Sequence, residues 1–187
     1  MAPHPDGRVL RSLPRGSMLG GVVLLLIAAG MLAWWFVYQR TSGVEVYLVR
    51  SDPVRNKVTL AAVRRPAPRG PIAVRLEAAL RALLDGPKGA RWGEARDLVT
   101  EIPAGTTLLG VKVDGNIVTV NLSETYAQGG GSTSMLARVW QVVYTATQFA
   151  DAPEVQILVN GRRVEALGGE GVMIGSPLRR RATPPAF

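Results

Sequence analysis

At 187 residues the chain has room for one ordinary domain and an appendage, and with 47% hydrophobic residues it can bury a core. It has no cysteine, which excludes a disulfide framework, a thiolate metal site, a cysteine nucleophile and a lipid-attachment cysteine. The formal charge is +8, carried by 19 Arg against 3 Lys, and the one histidine is His4, so histidine catalysis within the domain is excluded as well.

The first element is a run of 21 uncharged residues, Met18 to Tyr38. As a helix it spans roughly 32 Å, enough for a hydrocarbon core of about 30 Å. Arg8, Arg11 and Arg15 precede it against Asp6, and Arg40 alone follows closely. The positive-inside bias therefore predicts a cytoplasmic N-terminus and an extracytoplasmic domain. Trp34, Trp35, Phe36 and Tyr38 crowd the exit end, where amphipathic rings favour the membrane interface. A cleaved signal peptide has a shorter apolar core and a small-residue cleavage site, and this run fits an uncleaved anchor better. Beyond Arg40 the chain keeps 18 basic and 13 acidic residues, a net +5 spread along its length. Nucleic acid is not an expected partner for such a domain outside the cytoplasm; anionic envelope polymers or lipid headgroups are the alternative partners its arginines allow.

After a short linker, Thr41-Ser42-Gly43, the alternation of Val44, Val46 and Leu48 predicts a strand, and Asp52-Pro53 turns the chain. Lys57 to Arg64 reads as a second strand, interrupted by the Pro-rich RRPAPRGP. A helix opens at Pro71, with Ile72, Leu76, Leu80, Leu83 and Leu84 on one face and a Glu77–Arg81 pair outside, and Gly86-Pro87 stops it. A single helical turn is expected in ARWGEARDL. Next comes a hairpin, TLLGVKVDGNIVTVNL, with Leu109, Val111 and Val113 facing the same way as Val118, Val120 and Leu122 across an Asp114-Gly115 joint. A second helix places Leu136, Val139, Trp140, Val143 and Thr147 on one face, widened by Val142 and Ala146. A second hairpin follows, with Val155, Ile157 and Val159 going out, Asn160-Gly161 turning and Val164 returning. The order predicts one α+β domain with both helices on a single mixed sheet.

The candidate site is the loop before the second helix: Gly129, Gly130, Gly131, Ser132, Thr133 and Ser134. Glycines opening a helix suit an anion because of the unpaired N–H groups there. A P-loop, however, needs Gly-Lys-Ser/Thr, and no lysine follows Lys112. Two readings stay open: a partner-contact surface, or a cap in which the Ser132 or Ser134 hydroxyl accepts from a helix amide. Glu77, Asp85, Asp97, Glu101, Asp114 and Glu124 are the carboxylates a hydrolase would draw on, but turn and helix chemistry already accounts for such positions. No catalytic residue, cofactor or metal site is expected.

Together, LEAALRALLDGP, IPAGTTLLGVKVDGNIVTVNLS, GGGSTSMLARVWQVVYTATQF and VQILVNGRRVEALGGEG resemble the GerMN domain of GerM-like sporulation and spore-germination proteins, over about Val44 to Pro177. The resemblance implies an extracytoplasmic module, related to ring-building folds, that works by interaction rather than catalysis. It departs from GerM in having one copy of the domain and no lipoprotein cysteine. The expected organisation is a cytoplasmic tail (1–17), a transmembrane anchor (18–38), a linker (39–43), the GerMN domain (44–177) and a disordered basic tail (178–187). The expected function is a membrane-anchored, non-catalytic interaction or assembly module of the bacterial envelope, linked to sporulation or germination. Its partner is an envelope protein or a second copy; the alternatives are binding of an anionic wall polymer and, third, a carboxylate-dependent wall hydrolase.

Overall fold

The computed structural model describes residues 15–52, 57–88, 97–149, 154–168 and 171–185. The chain divides into two compact units, Met1–Arg40 and Thr41–Phe187. In the first, helix α1 runs from Arg15 to Arg40. Its described side chains, 23–35, include the consecutive Leu24, Leu25 and Leu26, all exposed, as are Trp34 and Trp35. Among the described residues no helix is long and apolar enough to cross a membrane. The side chains described within α1 cover only part of the uncharged Met18–Tyr38 run.

The second unit is α+β. In chain order it contains β1 (Thr41–Asp52), β2 (Lys57–Pro68), α2 (Ile72–Leu84), β3 (Leu98–Val99), β4 (Leu108–Asp114) and β5 (Ile117–Leu122). A 3₁₀ turn (Glu124–Ala127), α3 (Ser132–Ala146), β6 (Glu154–Val159), β7 (Ala166–Leu167), β8 (Val172–Met173) and β9 (Leu178–Arg179) follow. The expected single sheet is instead three: β2-β1-β3, β4-β5-β6-β9 and the pair β7-β8. Helices α2 and α3 pack on each other, and each touches strands of both larger sheets. Leu76, Leu80 and Leu83 of α2 meet Val139, Val142 and Val143 of α3 in a core shared with Val46, Leu48, Val118, Val120 and Ile157.

Several local expectations are corrected. Thr41-Ser42-Gly43 is not a linker, because β1 begins at Thr41 and pairs with β2 from the Thr41–Pro68 rung onward. The prolines do not break β2. They lie at its end, and since β2 is an edge strand the missing proline N–H groups leave an interior ladder intact. The β4–β5 joint is Gly115-Asn116, with Asp114 opposite Ile117. A register shift between Leu108 and Gly110 takes Leu109 out of the inward row and leaves it 50% exposed. The hairpin after β6 shrinks to one bridge, Val159–Arg162. Instead β6 lies parallel to β5, with α3 in the crossover, and antiparallel to β9. The turn expected at Asp52-Pro53 and the helical turn expected in ARWGEARDL fall mainly on 53–56 and 89–96, outside the described residues.

The basic tail, expected to be disordered, is ordered through most of its length, because each of its arginines finds a partner. Leu178 and Arg179 form β9, and Arg179 bonds Glu154 at 2.5 Å. The Arg180 guanidinium stacks 4.7 Å from the Tyr144 ring and 5.0 Å from Tyr47, donating to the Tyr47 hydroxyl at 2.5 Å. Arg181 lies 4.8 Å over Trp140, and its carbonyl accepts from the Tyr144 hydroxyl at 2.8 Å. Stacking of guanidinium on aromatic faces is a favourable use of arginine that lysine matches poorly.

Candidate functional site

Helix α3 is buried on all sides from Ala137 to Ala146, polar residues included. A charge there requires partners. Arg138, 2% exposed, reaches back under the glycine loop. Its Nη1 donates to the carbonyls of Tyr126 (2.8 Å) and Gln128 (3.0 Å), and its Nη2 to that of Gly129 (3.0 Å) and to Ser134 Oγ (3.4 Å). One guanidinium thus fixes three carbonyls of the backbone between Tyr126 and Gly129. Burial lowers the Arg138 pKa, opposed by Tyr126 and Glu101. The Tyr126 hydroxyl, fully buried and without a hydrogen-bond partner among the described residues, is held well above the ordinary tyrosine value by burial.

The three glycines differ. Gly129 and Gly130 have φ of +62° and +85°, which side chains with a Cβ resist. A Cβ on Gly130 would lie 2.6 Å from Arg138 Nη2 and 2.9 Å from Ser134 Oγ. Gly131 has extended backbone (φ −89°, ψ 179°) and open space around it.

Neither serine is a cap. The N-cap residue is Gly131, and among the described residues no side-chain cap bond is made at the start of the helix. Ser134 instead donates to Glu101 Oε2 at 2.6 Å, which ties the start of α3 to the segment after β3. Glu101, Gly131, Ser132, Thr133, Ser134, Ala137 and Val58 line an open cleft of about 520 Å³. All six candidate loop residues thus lie together, with Gly129–Thr133 exposed and Ser134 half-buried. Three of the candidate carboxylates have structural partners: Glu77 pairs with Arg81 and Asp114 with Lys112 on the surface, and Glu101 is bound to Ser134. Among the described residues no group of three His, Asp or Glu side chains could hold a metal ion.

The Arg138 brace was not among the residues singled out in the sequence. Its one signal is a charged residue between Ala137 and Val139, inside a stretch that periodicity already marks as covered.

The family described as Germane: Sporulation and spore germination matches residues 45–165. The chain belongs to this family. Among solved structures, the tandem GerMN domains of the sporulation protein GerM from Bacillus subtilis superpose with a TM-score of 0.62 at 18% identity, covering 78% of this chain and 48% of that one. The first GerMN domain of the same protein gives 0.53 at 20% identity, covering 75% and 98%. A Clostridium perfringens protein described as a lipoprotein gives 0.51 at 20%, covering 75% and 88%. These likenesses establish a GerMN-type fold. No curated protein matches this chain by sequence.

Proposed function

We propose that this Germane-family protein is a single-pass, membrane-anchored module that displays its GerMN-type domain outside the cytoplasm and binds another envelope protein without catalysing a reaction. The anchor reading is supported by the uncharged Met18–Tyr38 run, the continuous α1 helix and the exposure of its apolar side chains on every face. The family's link to sporulation and germination gives the biological setting.

The observation that carries the binding reading is the glycine loop. Its backbone is exposed, yet it is held from below by a buried guanidinium, so a partner meets a surface already set in shape. The small residues Gly131, Ser132 and Thr133 permit close approach along the cleft. The non-catalytic reading is supported by carboxylates engaged in structural pairs.

Gly130→Arg would damage the brace itself and cannot separate binding from folding. The informative variant is Gly131→Arg, at an open position with ordinary backbone. A photo-crosslinker at Thr133 in intact membranes is expected to give a discrete adduct, lost in Gly131→Arg at unchanged melting temperature. An adduct insensitive to Gly131→Arg, or none at Thr133, would remove the loop from the interface.

A further inference from the structure

The first rungs of the β1–β2 ladder carry a group of basic residues whose place in the chain ties them to the end of α1. Thr41 follows Arg40 directly and pairs with Pro68, so Arg69 lies one residue beyond the rung nearest the helix. Whatever angle the two units make, Arg69 stays within about 10 Å of the chain's exit from α1, given about 3.3–3.6 Å of reach per residue. Arg64 stands opposite Glu45, four residues further along β1.

The Arg64 side chain does not reach across to that carboxylate. It lies over the bare backbone of Gly43, where a Cβ would collide with its Nε, and so turns toward the start of the strand. Glu45 in turn accepts from the Tyr47 hydroxyl at 2.8 Å. Neither Arg64 nor Arg69, both exposed, makes an ion pair among the described residues. The chain then turns through Gly70-Pro71 into α2, whose first turn presents Val74, 42% exposed, and Arg75, its guanidinium 4.3 Å from the Phe149 ring. Glu45 is the acidic residue on these rungs, and Glu77, further along α2, is bound to Arg81.

We infer that Arg64, Arg69 and Arg75, with Val74 among them, form a docking surface for the anionic phospholipid headgroups of the membrane that holds α1. The inference rests on the anchor proposed above. Unpaired arginines within a Debye length of an anionic surface are attracted to it, and an exposed valine beside them suits the headgroup boundary. β1 starts at the residue after α1, so the chain itself tethers this surface to the end of the helix.

The cysteine-free sequence allows a direct test on the full chain. Ala73→Cys, at the exposed start of α2, carries an environment-sensitive fluorophore; the protein is reconstituted in phosphatidylcholine nanodiscs with or without phosphatidylglycerol, and insertion is scored separately by co-elution with the discs. Phosphatidylglycerol should shift the label to an apolar environment. High salt should reverse the shift, and Arg64→Gln with Arg69→Gln should lower the docked-to-free ratio roughly twenty-fold, about fivefold per arginine. An inserted chain whose label ignores lipid charge overturns the inference and leaves the anchor standing. A chain that fails to enter discs of either lipid overturns both. A shift produced in phosphatidylcholine by an added anionic wall polymer would reassign the surface to that polymer.

Discussion

Two side chains decide the environment beneath the glycine loop. Arg138 stays charged in the interior because three carbonyls accept hydrogen bonds from it, and removing it takes the donor from all three, of which the Tyr126 carbonyl is buried. Arg138→Ala is therefore expected to cost about 3 kcal/mol in denaturant unfolding. Tyr126 is the opposite case, a buried hydroxyl with nothing to bond among the described residues. Tyr126→Phe should leave stability at pH 7 unchanged or raise it by up to about 1 kcal/mol. Its raised pKa also sets an alkaline limit. Below the unfolded value of about 10 the hydroxyl is protonated in both states and pH has no leverage. Above it only the unfolded chain ionises, so stability falls as pH rises; Tyr47 and Tyr144, also raised by burial, add to the slope. Melts between pH 9 and 11 should show a shallower decline for Tyr126→Phe than for the parent chain, and equal slopes would remove Tyr126 from the effect.

At the scale of elements, α3 does the work of a neighbouring strand. β3 covers β1 at Val49 and Arg50 only, and upstream of those rungs side chains of α3 and the residues just after it occupy the ladder positions. Gln148 exchanges bonds with the N–H and carbonyl of Glu45, Thr145 accepts from the Tyr47 N–H, and Gln141 donates to the Tyr47 carbonyl while accepting from the Glu101 N–H. Gln141→Leu keeps the volume but strands one buried and one half-buried backbone group, and should destabilise by roughly 2 kcal/mol, against about 1 kcal/mol for the more exposed Gln148→Ala. Equal effects in thermal melts would argue against this edge-sealing role. The apolar stripe of α3 was legible because Val139, Val142, Val143 and Ala146 repeat at helical spacing. Its polar partners were not, because Gln141 and Thr145 read as a solvated face until a strand about a hundred residues earlier is placed beside them. The same blindness turned Arg180 and Arg181 into a disordered tail, since nothing local to them reveals Tyr47, Trp140 or Tyr144. Of the candidate loop, its place before the helix was readable. Which glycine is crowded depends on Arg138 and was not.

For the molecule as a whole, the proposed topology predicts that protease added to intact spheroplasts digests the Thr41–Phe187 unit and leaves a small α1-containing fragment. Full protection of the domain, or a mature N-terminus beyond Tyr38, would overturn it. The division into three sheets was not legible, because alternation marks a strand without naming its neighbour. The clasp of Arg180 on Tyr47 joins positions 133 residues apart in sequence. At about 5–20 residues per second, β1 leaves the ribosome roughly 7 to 27 seconds before the arginine that closes over it. For the part of that interval between the completion of β2 and that of α3 the first strand has its hairpin partner but neither its helical edge nor its cationic cover, so the nascent chain passes through a stage in which an unfinished β-ribbon must be kept from pairing with others. A chaperone would find its substrate in that ribbon, and the arrival of Arg180 over Tyr47 would complete the cover that ends the need for it.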